Sequence, residues 1–187
     1  TSGVEIITYQ NVVMMASLIR PEAKEDFGRI TSETFQDLAY HSTTRAEDST
    51  LMRGYFERVL PLVREEQRTA TSAMILSDKY FSSMLDATST PYYKEFLRSD
   101  PAALLPRITC PIMALNGSKD MQVEASTNLG AIKRLATASQ SVRTEELEGL
   151  NHLFLPCTTG LPGEYMHLEP GFSTEALELM TEWIGER

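Results

Sequence analysis

Two short loops carry the residues best suited to chemistry. Leu115-Asn116-Gly117-Ser118-Lys119-Asp120 closes an apolar run, and Glu148-Gly149-Leu150-Asn151-His152 closes a second extended segment. Each sets an ionisable side chain just past the carboxyl end of an expected strand, the edge where open parallel sheets gather ligands and catalytic groups. An imidazole held at one ring nitrogen by a buried carboxylate offers the other as a base, so an acid and a histidine converging from different strands make a proton-transfer device. Both residues also have plainer uses. Asp120 would serve as the N-cap of the helix that follows it, and His152 as a hydrogen-bonded structural histidine after a glycine turn.

Other candidates are weaker. Glu164 and Tyr165 fall in a long irregular segment, residues 155 to 172, that holds Pro156, Gly160, Pro162, Gly163, Pro170 and Gly171. Loops of that length are usually functional, and either substrate contact or packing of the loop itself would account for the pair. His152, Cys157 and His167 match no common zinc spacing, and no second ligand pair accompanies them, so no metal is expected. His41 stands in a polar helical setting and reads as solvated surface. Cys110 and Cys157 form neither a Cys-x-x-Cys pair nor a dense framework, which fits free thiols or a single bridge.

The elements that must position these groups fall into two parts. Apolar residues recur at three- and four-residue spacing through the first hundred residues, which predicts helices. Pro21 opens one, with Glu22, Glu25 and Asp26 at the positive end of its dipole and Phe27, Ile30, Thr34 and Leu38 on one face. Met52, Tyr55, Val59 and Val63 mark a second face, and Tyr80, Phe81 and Met84 a third. With Met14, Met15, Met74, Phe56 and others, these side chains would form an ordinary helical core or an adaptable acyl pocket, since thioether chains repack easily.

The pattern changes at Ser99-Asp100-Pro101. Ile112 to Leu115, opened by Pro111 and closed by Asn116-Gly117, predicts a buried parallel strand. A helix carrying Ala125, Leu129, Ile132 and Ala136 on one face follows. Ser141 to Leu147 predicts a second strand, with Arg143, Glu145 and Glu146 placing it near a sheet edge. Ser173 caps a last helix whose Ala176, Leu177, Met180, Trp183 and Ile184 are expected to dock on a core. Strand, helix, strand, loop, helix is the order of a βαβ unit with one more helix attached.

Composition excludes several classes of function. The chain has 187 residues, enough for one ordinary domain, with hydrophobic residues at 42% and charged residues at 23%, close to an average globular protein. Its net charge of -9 would repel a phosphate backbone and an anionic membrane, so nucleic acid is excluded as the expected partner. The longest apolar stretch, Val12 to Ile19, falls far short of the roughly 20 residues a membrane span needs.

The two loops resemble a known group. Cys110 to Val123 is similar to the acid loop of bacterial α/β-hydrolases of the esterase and acyl-hydrolase type. Gly149-Leu150-Asn151-His152-Leu153-Phe154, with Thr159-Gly160 and Glu164-Tyr165 beyond it, is similar to their histidine loop, where a Thr-Gly-x-Pro-x-Glu-Tyr segment precedes the last helix. The likeness covers about Tyr93 to Ile184 and is only general before that. Glu148 replaces a common proline and Leu155 a common polar residue, departures that bear on the loop and not on positions 120 and 152.

This resemblance implies a mostly helical, partial α/β-hydrolase fold: residues 1–98 as a helical cap, and 99–187 as the C-terminal part of the core with its last two parallel strands and helices. It implies Asp120 and His152 as the acid and base of a Ser-Asp-His triad that cleaves an ester, thioester or related acyl bond, with a small-molecule acyl substrate and no cofactor. The serine is missing. None of the ten glycines lies four residues before another, so no Gly-x-Ser-x-Gly elbow exists, and Gly171-Phe172-Ser173-Thr174-Glu175 lacks the second glycine. The chain opens at Thr1 without an initiator Met, and the resemblance places the elbow ahead of it. The expected setting is a soluble protein of bacterial cytoplasm or periplasm, and the expected association is a homo-oligomer formed through an exposed sheet edge. A ligand-binding or assembly module derived from the same fold, with an idle acid and base, is the competing expectation.

Overall fold

The computed structural model describes residues 2–169 and 171–186, so Thr1, Pro170 and Arg187 lie outside the described residues. It is mostly helical with one small parallel sheet, a mixed α/β structure, and it separates into two compact units at Ser99 and Asp100. No helix among the described residues is long and apolar enough to cross a membrane.

The first unit, Ser2–Ser99, is all helix. Helix α1 (Gly3–Met14) starts at a capping box in which Ser2 Oγ accepts from the Glu5 amide and Glu5 reaches back to the Ser2 amide. Pro21 opens a 3-10 turn that leads into α2 (Lys24–Tyr40), whose Phe27, Ile30, Thr34, Phe35 and Leu38 are buried. Thr31 and Thr34 join that face because their hydroxyls donate to the carbonyls of Phe27 and Ile30, both at 2.8 Å. Helix α3 (Arg45–Val59) begins at a second capping box, Thr44 with Glu47, and buries Met52, Tyr55, Phe56 and Val59. Helices α4 (Glu65–Ile75), α5 (Asp78–Thr88) and α6 (Pro91–Arg98) complete the unit. One buried cluster runs through all six helices, and each fully buried Phe or Leu in it is worth roughly 1.5–3 kcal/mol.

Several expected positions differ. Val63 is buried but lies past α3, because Pro61 turns the chain through a 3-10 segment and leaves Val63 extended, bridged to Ile19. The Val12–Ile19 run is helical only as far as Met14, where α1 ends, and Ile19 at its far end makes that bridge. On α5 the buried face is Phe81, Leu85 and Thr88, while Tyr80 is 41% exposed, since residue 80 precedes the buried position 81 by a 100° turn of helix. The methionines divide as well: Met52 is core, whereas Met14 and Met74 are exposed.

In the second unit Asp100 caps the short helix α7 (Pro101–Leu104) through the Ala102 amide. Strand β1 (Ile112–Gly117) follows Pro111, helix α8 (Ala125–Leu135) crosses over, and β2 (Val142–Leu147) pairs parallel to β1. The register runs from Ile112 opposite Val142 to Gly117 opposite Leu147. Helix α9 (Thr174–Gly185) closes the unit and is capped by Ser173 Oγ, which accepts from the Ala176 amide. Of its five expected docking residues only Ala176 is fully buried; Leu177 is 48% and Ile184 is 66% exposed. The reason is geometric, because a two-stranded sheet offers α9 too narrow a floor to cover its whole apolar stripe.

Candidate functional site

The site is built where the two strands end. Beyond β1, the Ser118 amide donates to Leu147 O at 2.9 Å and the Lys119 amide to Leu150 O at 2.9 Å, while Ser118 Oγ accepts from the Gly149 amide at 2.9 Å. The loops after β1 and β2 are therefore laced together by backbone before any ionisable group is involved. Gly149, at φ 74°, supplies the left-handed turn that starts the second loop.

Asp120 lies in a tight turn, its amide donating to Gly117 O at 3.1 Å. Its Oδ1 accepts from the amides of Gln122 and Val123 at 2.8 and 2.9 Å, which fixes the plane of the carboxylate. Its Oδ2 accepts from Asn116 Nδ2 at 3.1 Å and meets His152 Nδ1 at 2.9 Å. The Asp120 side chain is buried, 5% exposed, whereas the His152 side chain is 38% exposed. The cap of α8 is Glu124, not Asp120: Glu124 accepts from the amides of Ser126 and Thr127.

A carboxylate only accepts, so the hydrogen-bond network assigns the proton to Nδ1 and leaves a lone pair on Nε2. No hydroxyl or thiol hydrogen-bonds to Nε2 among the described residues. Such an arrangement can take a proton from an incoming group and hold the resulting imidazolium beside a fixed negative charge, an effect typically worth 10²–10⁴ in rate.

Glu164 and Tyr165 surround the acid turn. Glu164 accepts from the amides of Thr158, Thr159 and Gly160 at 2.7, 2.8 and 3.0 Å and from the Thr159 hydroxyl at 2.6 Å. The Thr159 hydroxyl, followed by those amides, lowers its carboxyl to about 2. The turn so gathered sets Gly160, at φ 72°, against Lys119, where a β-carbon would lie 1.9 Å from the carbonyl oxygen. Lys119 Nζ donates to Cys157 O at 3.1 Å, and Gln122 Nε2 donates to the Tyr165 hydroxyl at 3.3 Å. These contacts place both residues in the packing of the loop. Burial pushes the Cys157 thiol up, away from reactivity, and both cysteines are free.

A second acid and histidine show the contrast. At the C-terminus of α2, His41 Nδ1 lies 3.0 Å from Asp37 Oδ1, but they are one helical turn apart and 75% and 49% exposed. Neighbouring Ser42 donates its hydroxyl to buried Asp48 and is no nucleophile for that ring. The cavity there, about 530 Å³, holds no buried carboxylate paired to a ring. A further cavity, about 290 Å³, is lined by Met113, Leu115, Phe154, Phe172, Met180 and Ile184 in the second unit. No group of three or more His, Cys, Asp or Glu that could hold a metal ion occurs among the described residues.

Sequence reasoning missed Asn116, Asn151 and the acid loop's dependence on Gly160. Their signal was present only as residue types in turns; the partners come from other loops. No family model matches the chain, and no curated protein or solved structure is significantly similar to it.

Proposed function

We propose that this chain supplies the acid and base of a serine-type acyl hydrolase of α/β-hydrolase architecture. Asp120 orients the imidazole and stabilises its charged form, and His152 takes the proton of a serine hydroxyl as that oxygen attacks an ester, thioester or related acyl carbonyl. His152 then hands the proton to the leaving group, and repeats the cycle with water to release the acid. In this reading β1 and β2 are the last two strands of a core sheet, residues 1–98 are the cap, and the serine stands on polypeptide that is not part of this chain.

The observation supporting the reading is the 2.9 Å contact between buried Asp120 and part-exposed His152, formed by side chains 32 residues apart at the carboxyl ends of two parallel strands. The test is turnover of short-chain nitrophenyl esters by the polypeptide that joins this chain to the sequence preceding Thr1, with and without His152→Ala. The reading expects a loss of at least a hundredfold in the variant. Equal turnover would overturn it.

One observation favours a second reading, a ligand-binding or assembly module of the same descent: no nucleophile meets Nε2 among the described residues. A preceding sequence with no strand and Gly-x-Ser-x-Gly elbow would select this alternative.

A further inference from the structure

The five residues Asn151 to Leu155 form a closed loop around the base. The Asn151 amide donates to Leu155 O at 3.0 Å, and the Phe154 amide donates to Asn151 O at 3.0 Å. The Asn151 side chain adds two more bonds, its Oδ1 accepting from the amides of Leu153 and Leu155 at 2.9 and 3.1 Å. One residue thus holds both ends of the turn whose first corner is His152. Asn151 is itself 0% exposed, so its own position is set by packing.

Two local costs sit inside this loop. Phe154 adopts φ 56°, the left-handed region that a residue with a β-carbon enters at roughly 1–2 kcal/mol. It is held there by its bond to Asn151, by the Ser173 amide donating to its carbonyl at 3.0 Å, and by stacking on Phe172 at 5.2 Å. The Asn151 Nδ2 is buried with no acceptor among the described residues, a further cost of roughly 1–3 kcal/mol. Strain and an unsatisfied donor gathered at one turn are a mark of a functional constraint, and the group the turn presents is the imidazole of His152.

From this we infer that Asn151 is a positioning residue, acting through His152: its carboxamide oxygen holds the turn in the one shape that points Nδ1 at Asp120 and leaves Nε2 facing outward. This rests on the acid–base reading above. What matters is the acceptor at Oδ1, not the donor at Nδ2, so the two can be separated by substitution. Asn151→Asp keeps an oxygen for both amides; Asn151→Ala removes it.

The readout is the tautomer of His152, from long-range proton–nitrogen correlation of the ring at a pH where it is neutral, with β1 and β2 amide resonances as the control for folding. The intact chain is expected to carry its proton on Nδ1. Asn151→Ala is expected to shift the ring to a mixture of tautomers while the strand resonances hold, and Asn151→Asp to restore the Nδ1 form. A folded Asn151→Ala with an unchanged tautomer, or an Asn151→Asp that loses the Nδ1 form, overturns the inference. Should Asn151→Ala unfold, the Asp variant alone decides by the same criterion. An intact chain with its proton on Nε2 contradicts the acid–base reading itself, which keeps the two failures distinct.

Discussion

A β-carbon on residue 117 would lie 2.1 Å from the carbonyl oxygen of Leu150, so Gly117 and Leu150 meet as bare backbone. This contact brings the acid loop and the histidine loop within hydrogen-bonding range of each other. Gly117→Ala must push them apart. We expect it to cost about 3 kcal/mol, the upper part of the overpacking range, measured by denaturant unfolding. Loss of the Asp120–His152 bond should accompany it; an alanine variant as stable as the parent would show that the loops are not so closely held.

The helical unit contains an ion pair independent of the site. Lys94 Nζ donates to Asp48 Oδ1 at 2.7 Å and to Ser42 O at 3.1 Å, and the two side chains are 10% and 1% exposed. Lys94→Met strands a buried carboxylate and is expected to cost about 3–5 kcal/mol. Asp48→Asn paired with Lys94→Met should recover a large part of that loss. A single variant within 1 kcal/mol of the parent, on the scale of an exposed pair, would refute the claim.

Acid should act through the same pair. Burial pushes the Asp48 carboxyl up, but hydrogen bonds from Lys94 and Ser42 with the Lys94 charge pull it net below its ordinary value. A folded-state value below the unfolded one, about 3.9, means stability that is fully present above that pH and lost as pH falls through the folded value. Stability against pH should therefore decline on the acid side in the parent and decline less in Asp48→Asn. Parallel acid limbs in the two proteins would contradict this.

Glu164 makes a sharper pH prediction. Its carboxyl is lowered to about 2, chiefly by the Thr159 hydroxyl and the amides of the same turn. The contribution of this carboxylate to the turn should be fully present above its ordinary value of about 4.3, decline as pH falls below that, and be lost as pH falls through about 2. Hydrogen exchange at Thr158, Thr159 and Gly160 measures it. In Glu164→Gln the protection should be weaker and independent of pH; equal protection in both at pH 5 would remove the carboxylate from the account.

The outer edge of β1 pairs with no strand among the described residues, and the apolar cavity of about 290 Å³ lies against Met113 and Leu115 on the same strand. On the proposed reading this edge belongs inside a larger sheet, so the isolated chain should associate through it. Light scattering should show a mass that rises with concentration. A stable monomer at high concentration with β1 amides protected from exchange would refute it.

Local pattern revealed much of this molecule and stopped at identifiable places. Turn residues bracketing apolar runs located β1, β2 and the loops bearing Asp120 and His152, because strand ends are marked by glycine and asparagine. Helical spacing found Phe27, Ile30, Thr34 and Leu38. It failed at Val63, where Pro61 ends the helix early, and at Leu177 and Ile184, whose burial depends on a sheet width that spacing cannot report. Asn151 and Asn116 went unread for a different reason: their importance lies in which amides and oxygens they meet across loops.

The protonation of one ring tests the pairing of Asp120 with His152 most directly. Long-range proton–nitrogen correlation on the intact chain, at a pH where His152 is neutral, should show the proton on Nδ1, with Asp120→Ala releasing it to a mixture. A ring that carries its proton on Nε2 in the intact chain, unchanged by Asp120→Ala, would mean that the carboxylate at 120 does not govern the base at 152.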